Sequence, residues 1–514
     1  RPREQAILSI HLDAVIGAGL LLLAAALYLK TAAPGVYSFD AAEFTIAAAT
    51  WGIPHASGYP LFVLLGRLFI QVLPLGDAAY RMVVMTALFA ALSVAVLYAL
   101  LRQLQVSRVA SAAAAAAFAV SYYQWSTAVV TKEHSLHDLL LIMVLWLLVR
   151  WQRSAGFRWL LAATVIYGLS LTNHLAAALY APALLAFVIW QGRRTGTLGV
   201  GQWLALTAGG AVSLLPYLYL PLAYLGQPAL NIAGHFDRNG AFHAENLATW
   251  QGFIWMLSSR QFAGSILGSS LSSLPLQVWE LARWWWGNFF GVGVVLGIVG
   301  LKTFYSRNRA FFCLALAVAA LHAAFFVTYA VPDRYSMFTP VYLLWTIPLA
   351  FGLDWALVSL PANGARRWIA GLMVVGILGG LAANYRLLDL SHDERPRDWA
   401  LSLLSRVPPN SIVLARWAFS GPLRYEQLLG GLRPDVQVID VFLISRQDVK
   451  DLVEQYVDGK TLIVDDVSLF NAAELPGICA RLLPGPQVTL DRSLENGAEP
   501  GSYPGYQLVR CQPR

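Results

Sequence analysis

Along most of the chain, apolar residues run for about 20 positions and then yield to short polar, basic or Gly/Pro-rich breaks, a run length that matches a bilayer core. The pattern predicts about eleven spanning helices, near 11–31, 80–101, 108–128, 136–151, 157–173, 175–191, 201–222, 284–301, 310–330, 337–358 and 367–385. The tract 157–191 is continuous except at Thr172-Asn173-His174, read as a tight turn. Two stretches keep an apolar face but carry charge. "YPLFVLLGRLFIQVLP", interrupted by Arg67, and "ENLATWQGFIWMLSSRQF" read as amphipathic helices lying on the bilayer rather than as further spans.

Charge orients these spans. Starting inside, the inner segments hold Arg1 and Arg3; Arg102 and Arg108; Arg150, Arg153 and Arg158; Arg193 and Arg194; Lys302, Arg307 and Arg309; Arg366 and Arg367. The opposite segments hold Asp40, Glu43, Glu133, Asp138, Asp237, Glu245 and Asp333. The expected topology has the N-terminus inside, long outer loops at 32–79 and 223–283, and the C-terminus outside. The first apolar run is long enough to remain as a signal anchor.

From about residue 386 the texture changes. Short β-rich runs ("SIVLAR", "VQVIDVF", "KTLIVDD", "YQLVRC") alternate with helical patterns. The expected architecture is therefore a polytopic α-helical membrane domain over 1–385 and a small extracytoplasmic α/β domain over 386–514. Cys479 and Cys511 fall in the latter and either pair as a disulfide or stay as buried thiols. No internal repeat stands out, which counts against transporters built from duplicated halves.

Composition agrees with a membrane protein. Of 514 residues, 13% are charged, where soluble domains have roughly 25%; mean hydropathy is +0.56. The net charge of +7 sits in short clusters between apolar runs, so no nucleic-acid partner is expected. Three cysteines exclude a disulfide scaffold or a cysteine-rich metal site.

Polar groups converge on the predicted outer face. Asp40 and Glu43 follow the first span, three residues apart, and would share one face of a helix; they also read as a capping box. His55 and Tyr59 lie in "GIPHASGYP". Glu133 and His137, four apart, face one way on a helix, and Asn173 and His174 form an outer turn. Arg260 and Gln261 end the second amphipathic stretch, and Asp333, Arg334 and Tyr335 fill a turn. Any one of them reads equally as an interface anchor or a local ion pair. Together, from five segments, they are candidates for function, because ionisable groups at membrane depth are costly. Carboxylates and cations at a lipid boundary suit sugar transfer from a lipid phosphate. A base takes the acceptor proton, and cations stabilise the leaving phosphate. No phosphate-binding glycine motif supports a soluble nucleotide donor. Asp, Glu and His supply metal ligands, but no close pair has the spacing of a strong metal motif, so no metal cofactor is expected to be required.

The run "FDAAEF…GIPHASGYPLFVLLGRLF", then "TKEHSLH", "GLSLTNHLAA", "ALN…FIWMLSSRQF" and "LRPDVQVID", resembles a bacterial member of a GT-C-type membrane glycosyltransferase family whose animal members are protein O-mannosyltransferases. The resemblance covers nearly the whole chain. It implies an acidic motif in the first outer loop, here Asp40 as general base with Glu43 orienting the base or acceptor. It also implies a polyprenyl-phosphate sugar donor, possible mannose transfer, and a bacterial inner-membrane location. The acceptor would be a protein Ser/Thr hydroxyl, a glycan or a lipid. The chain departs from relatives at Glu133-His134-Ser135, where many read Glu-Val-Tyr, and lacks a Trp-Gly after Asn231. The competing expectation is a transporter or flippase of lipid-linked sugars.

Overall fold

The computed structural model describes residues 2–331, 334–361, 364–455, 462–464, 482–484 and 507–509. Asp333, Cys479 and Cys511 lie outside the described residues. Contacts divide the chain into two compact units.

The first unit takes Arg1–Ala32, Val84–Tyr217 and Gly264–Asp389. Among the described residues of the whole chain, eight helices are long and apolar enough to cross a membrane. They are Ile10–Lys30, Ala78–Gln103, His134–Ser154, Leu175–Thr195, Val200–Leu225, Arg309–Val327, Arg334–Ser359 and Ala365–Leu388. A ninth exists if Leu274–Asn288 and Val292–Arg307, bent by 99° at their junction, count as one span. Each corresponds to an expected span. The two remaining expectations are helical but short. Phe157–Asn173 has 17 residues, about 25 Å of helix against a core of about 30 Å. The segment 108–128 breaks into Arg108–Ala119 and Tyr122–Ala128. The break is held from outside: Asn384 donates to the Val120 carbonyl (2.8 Å), and Asn288 accepts from the Tyr123 amide (3.2 Å).

Helix Val292–Arg307 lies close against Thr339–Ser359. A Cβ on Gly300 or Gly352 would run into the other helix's backbone, so small residues set this crossing. At one end of the unit, Arg102 and Arg108 both bond Asp13 (3.0 and 2.7 Å), and Arg307 donates to the Gln105 carbonyl and pairs with Asp354. The opposite ends of these helix rows bring together Glu133, His134, His174 and Ser336.

The second unit takes Ala33–Val83, Leu218–Ala263 and Leu390–Arg514, gathering most of both long loops with the C-terminal segment. Pro60–Val72 is the short apolar helix expected from the first loop. At 13 residues it spans about 20 Å. Its Arg67, which interrupted the apolar pattern, donates to the carbonyls of Ala48 and Ala49 and stacks over Trp51 at 4.2 Å. It thereby satisfies groups that the end of helix Asp40–Thr50 leaves open. In the C-terminal segment, Ile412–Ala415 is buried along its length and pairs in parallel with Gln437–Asp440 and Leu462–Val464. Gln507–Val509 and Leu482–Pro484 extend the sheet in antiparallel fashion. Helices Arg395–Arg406 and Trp417–Leu428 pack Trp399, Leu403, Phe419 and Leu423 against that sheet, and Phe39 packs against the same core.

Candidate active site

Asp40 opens its helix as the first helical residue. The capping position is Phe39, with φ 58°, and its side chain provides no cap. The capping-box expectation is therefore corrected: Phe39 turns into the C-terminal core, and the carboxylates face other partners. The Trp417 indole donates to Asp40 Oδ1 at 2.8 Å. One oxygen of Glu43 accepts from both the backbone amide of His55 (2.6 Å) and its Nδ1 (2.9 Å). On the other side of the ring, His55 Nε2 meets the Tyr59 hydroxyl at 3.0 Å. Glu43, His55 and Tyr59 are all buried, whereas Asp40 is half-buried. Edge contacts from Phe262 and Trp417 hold the imidazole in place.

The loop carrying His55 is pinned from a distant segment. Gln261 accepts from the Ala56 amide (3.0 Å) and donates to the Ile232 carbonyl (3.1 Å). Its neighbour Arg260 is exposed. Helix Trp417–Leu428 approaches helix Asp40–Thr50 at Gly421, where a Cβ would sit 2.9 Å from that of Ala42. That close approach sets the reach from Trp417 to Asp40. Beside it opens a small cleft whose lining includes Glu43, Trp417, Ser420, Arg424 and Asp440. Ser420 donates to Asp440, and burial pushes the Asp440 carboxyl up to about 6 against the opposing pull of Arg424.

Glu133, His137 and Asn173, all buried, form a separate cluster with the half-buried His174 within the first unit. Glu133 accepts from His134 Nδ1 (3.0 Å), with His174 Nε2 3.8 Å away, and Asn173 donates to the Glu133 carbonyl (3.3 Å). His137 packs its ring against His174. Arg334 belongs to this unit too. Read from sequence as a cation for phosphate, it is already paired with Glu280 at 2.7 Å. Tyr335 is buried against Tyr123.

Two groups place one possible metal ligand each within 4.8 Å of one another: Asp40, Glu43 and His55, and Glu133, His134 and His174. The second fits a metal poorly. His174 Nδ1 already accepts the Ala176 amide (3.1 Å), so a neutral ring carries its proton on Nε2, the atom a metal would need. In the first, His55 would have to move its proton from the Glu43 side to the Tyr59 side.

Sequence reasoning missed Trp417, Asp440, Tyr180 and His322. His322 carried a signal as an ionisable group inside an otherwise apolar span, and Asp440 ended the quoted run "LRPDVQVID".

Sequence comparison adds similar proteins. Residues 40–197 match the family model described as the protein O-mannosyl-transferase TMEM260 N-terminal domain. The chain is homologous to the protein O-mannosyl-transferase TMEM260 of Mus musculus, 28% identical over 444 residues. The match covers 81% of this chain and 61% of the mouse protein, so the chain spans about three-fifths of that relative's length. Two crystal structures of ArnT from Cupriavidus metallidurans share the fold at 14% identity. The one bound to undecaprenyl phosphate gives a TM-score of 0.53 over 89% of this chain and 93% of ArnT. The apo structure gives 0.55 over 90% and 95%. The architecture is thus the GT-C fold of ArnT, as the family resemblance implied. The carboxylates Asp40 and Glu43 open the matched region, and His55, Tyr59, Glu133, His137, Asn173 and His174 lie within it.

Proposed function

We propose that the chain is an integral-membrane glycosyltransferase that moves a sugar, in the first instance mannose, from a polyprenyl-phosphate donor to an acceptor hydroxyl on the extracytoplasmic side. The acceptor is a protein Ser or Thr, a glycan or a lipid. The observation that carries this reading is the carboxylate of Asp40, half-buried and held by Trp417 beside the braced Glu43–His55–Tyr59 array. The TMEM260-type domain supports O-mannosyl transfer, and the undecaprenyl phosphate bound by ArnT supports a polyprenyl donor.

In this reading Asp40 takes the acceptor's hydroxyl proton while the oxygen attacks the anomeric carbon. The bond from that carbon to the phosphate oxygen breaks as the new bond forms, inverting the centre, and the lipid phosphate leaves with the electron pair. Glu43 fixes His55 and with it the loop wall of the site. Arg260 is the proposed partner of the phosphate at this site; Arg334, paired with Glu280 in the first unit, is the other cation proposed for phosphate. The step is proposed to proceed without a metal. The enzyme sits in the inner membrane, N-terminus cytoplasmic, with 386–514 outside.

The test is transfer in nanodiscs from radiolabelled polyprenyl-phosphate sugars to exported proteins and glycolipids, comparing wild type with Asp40→Asn. Label moved by the wild type alone supports the reading and names the sugar. Donor binding without transfer by either protein overturns it in favour of a flippase, which a liposome assay would then detect.

A further inference from the structure

The buried cluster of the first unit has an imbalance of hydrogen-bonding groups that follows from its proton positions. His322 Nε2 lies 2.6 Å from the Met337 carbonyl, which can only accept, so that nitrogen carries the proton. With the ring neutral, His322 Nδ1 accepts from the Tyr180 hydroxyl (2.9 Å). The Tyr180 oxygen then accepts from His137 Nε2 (2.8 Å). That chain of bonds leaves the His137 Nδ1 lone pair facing away from it, buried and without a partner among the described residues. Glu133 Oε2 and Asn173 Oδ1 share this condition, as do both carboxyl oxygens of the neighbouring Asp138. Asn173 is oriented by its own donation to the Glu133 carbonyl, so its oxygen is correctly placed as the orphan.

Several acceptors without donors, in one cluster, describe the ligand they lack. Each buried acceptor left unmade costs about 1–3 kcal/mol, more when charged. A phosphate brings only further acceptors and would be repelled. A metal is disfavoured by the committed His174 nitrogen. A ring bearing several hydroxyls supplies one donor per group, and each hydroxyl rotates to suit.

We propose that Glu133, His137 and Asn173 form a sugar subsite that accepts hydrogen bonds from hydroxyl groups of a glycosyl ring. The inference rests on the glycosyltransferase reading and assigns the recognition of sugar, as distinct from phosphate, to this cluster. The sugar is that of the lipid-linked donor or of a glycan acceptor.

The experiment is equilibrium binding to the full chain in nanodiscs of three probes: polyprenyl-phosphate mannose, polyprenyl phosphate and methyl α-mannoside. Glu133→Gln keeps the oxygen that His134 holds and turns the orphan acceptor into a donor. His137→Gln retains a nitrogen donor toward Tyr180 and removes the Nδ1 acceptor, covering the case in which the first variant does not fold. The expected result is a roughly tenfold or greater loss of affinity for a sugar-bearing probe, with polyprenyl phosphate unchanged. Loss on polyprenyl-phosphate mannose identifies the donor's sugar; loss on the mannoside alone identifies an acceptor's. Equal affinities in both variants, or an equal loss for polyprenyl phosphate, overturn the subsite and leave ordered water as the cluster's occupant. Wild type that binds none of the three probes overturns the glycosyltransferase reading itself.

Discussion

The indole of Trp417 donates its N–H to the carboxylate of Asp40 across 2.8 Å, although 377 residues separate them in the chain. A hydrogen bond to a charged group is worth about 1.5–3 kcal/mol. Here it also aims the carboxylate. Trp417→Phe keeps most of the packing against His55 and removes the donor. Its kcat should fall roughly tenfold or more with little change in KM for the lipid donor. Steady-state transfer with varied donor checks this; an unchanged kcat would mean that Asp40 is not the base or does not need the bond.

Gly421 gives a second handle on the same relationship. A methyl there meets Ala42, so Gly421→Ala pushes helix Trp417–Leu428 away and lengthens the Trp417–Asp40 bond. Transfer should drop by about the same factor as in Trp417→Phe, and the double variant should lose little more, because both act through one bond. Fully additive losses would refute the shared route.

The Arg334–Glu280 pair predicts a change opposite in sign. If Arg334 serves the lipid phosphate, its present partner competes. Glu280→Gln should tighten polyprenyl-phosphate binding severalfold, and Arg334→Gln should weaken it. Isothermal titration in nanodiscs measures both. Weaker binding in Glu280→Gln would assign the pair to structure alone.

Asp440 sets a pH dependence in the second unit. Its folded-state carboxyl titrates at about 6, against about 3.9 in an unfolded chain. Between those values the folded state binds more protons, so this group's contribution declines as pH rises from about 4 to 6, by roughly 2–3 kcal/mol, and is flat above. Asp440→Asn should remove that slope. Melting followed by tryptophan fluorescence from pH 4 to 7 tests it, and parallel wild-type and variant profiles would contradict it.

The sequence makes the long helices visible because each is an apolar run ended by charge. It misleads where an end is set from far away. Nothing in "FAVSYYQW" announces a break, since the groups that stabilise it come from Asn384 and Asn288. The sharp bend before Val292 was signalled weakly by Gly291, at φ 67°. In the candidate site the same division holds. Asp40, Glu43 and His55 stood out by chemistry within 16 residues of sequence. The true capping residue was hidden because Phe39 takes that position while packing on a core built from residues beyond 395. Trp417 looked like one aromatic among 18 tryptophans, and only proximity in space singles it out.

The span between Asp40 and Trp417 is also an interval of time. A ribosome adding about 5–20 residues per second reaches Trp417 some 20–75 s after Asp40 has emerged. Throughout that interval the nascent chain holds its acid without the group that aims it. A polypeptide stalled or cleaved before Trp417 would therefore insert its helices yet lack the bond that aims Asp40, so full activity would certify that synthesis had passed residue 417.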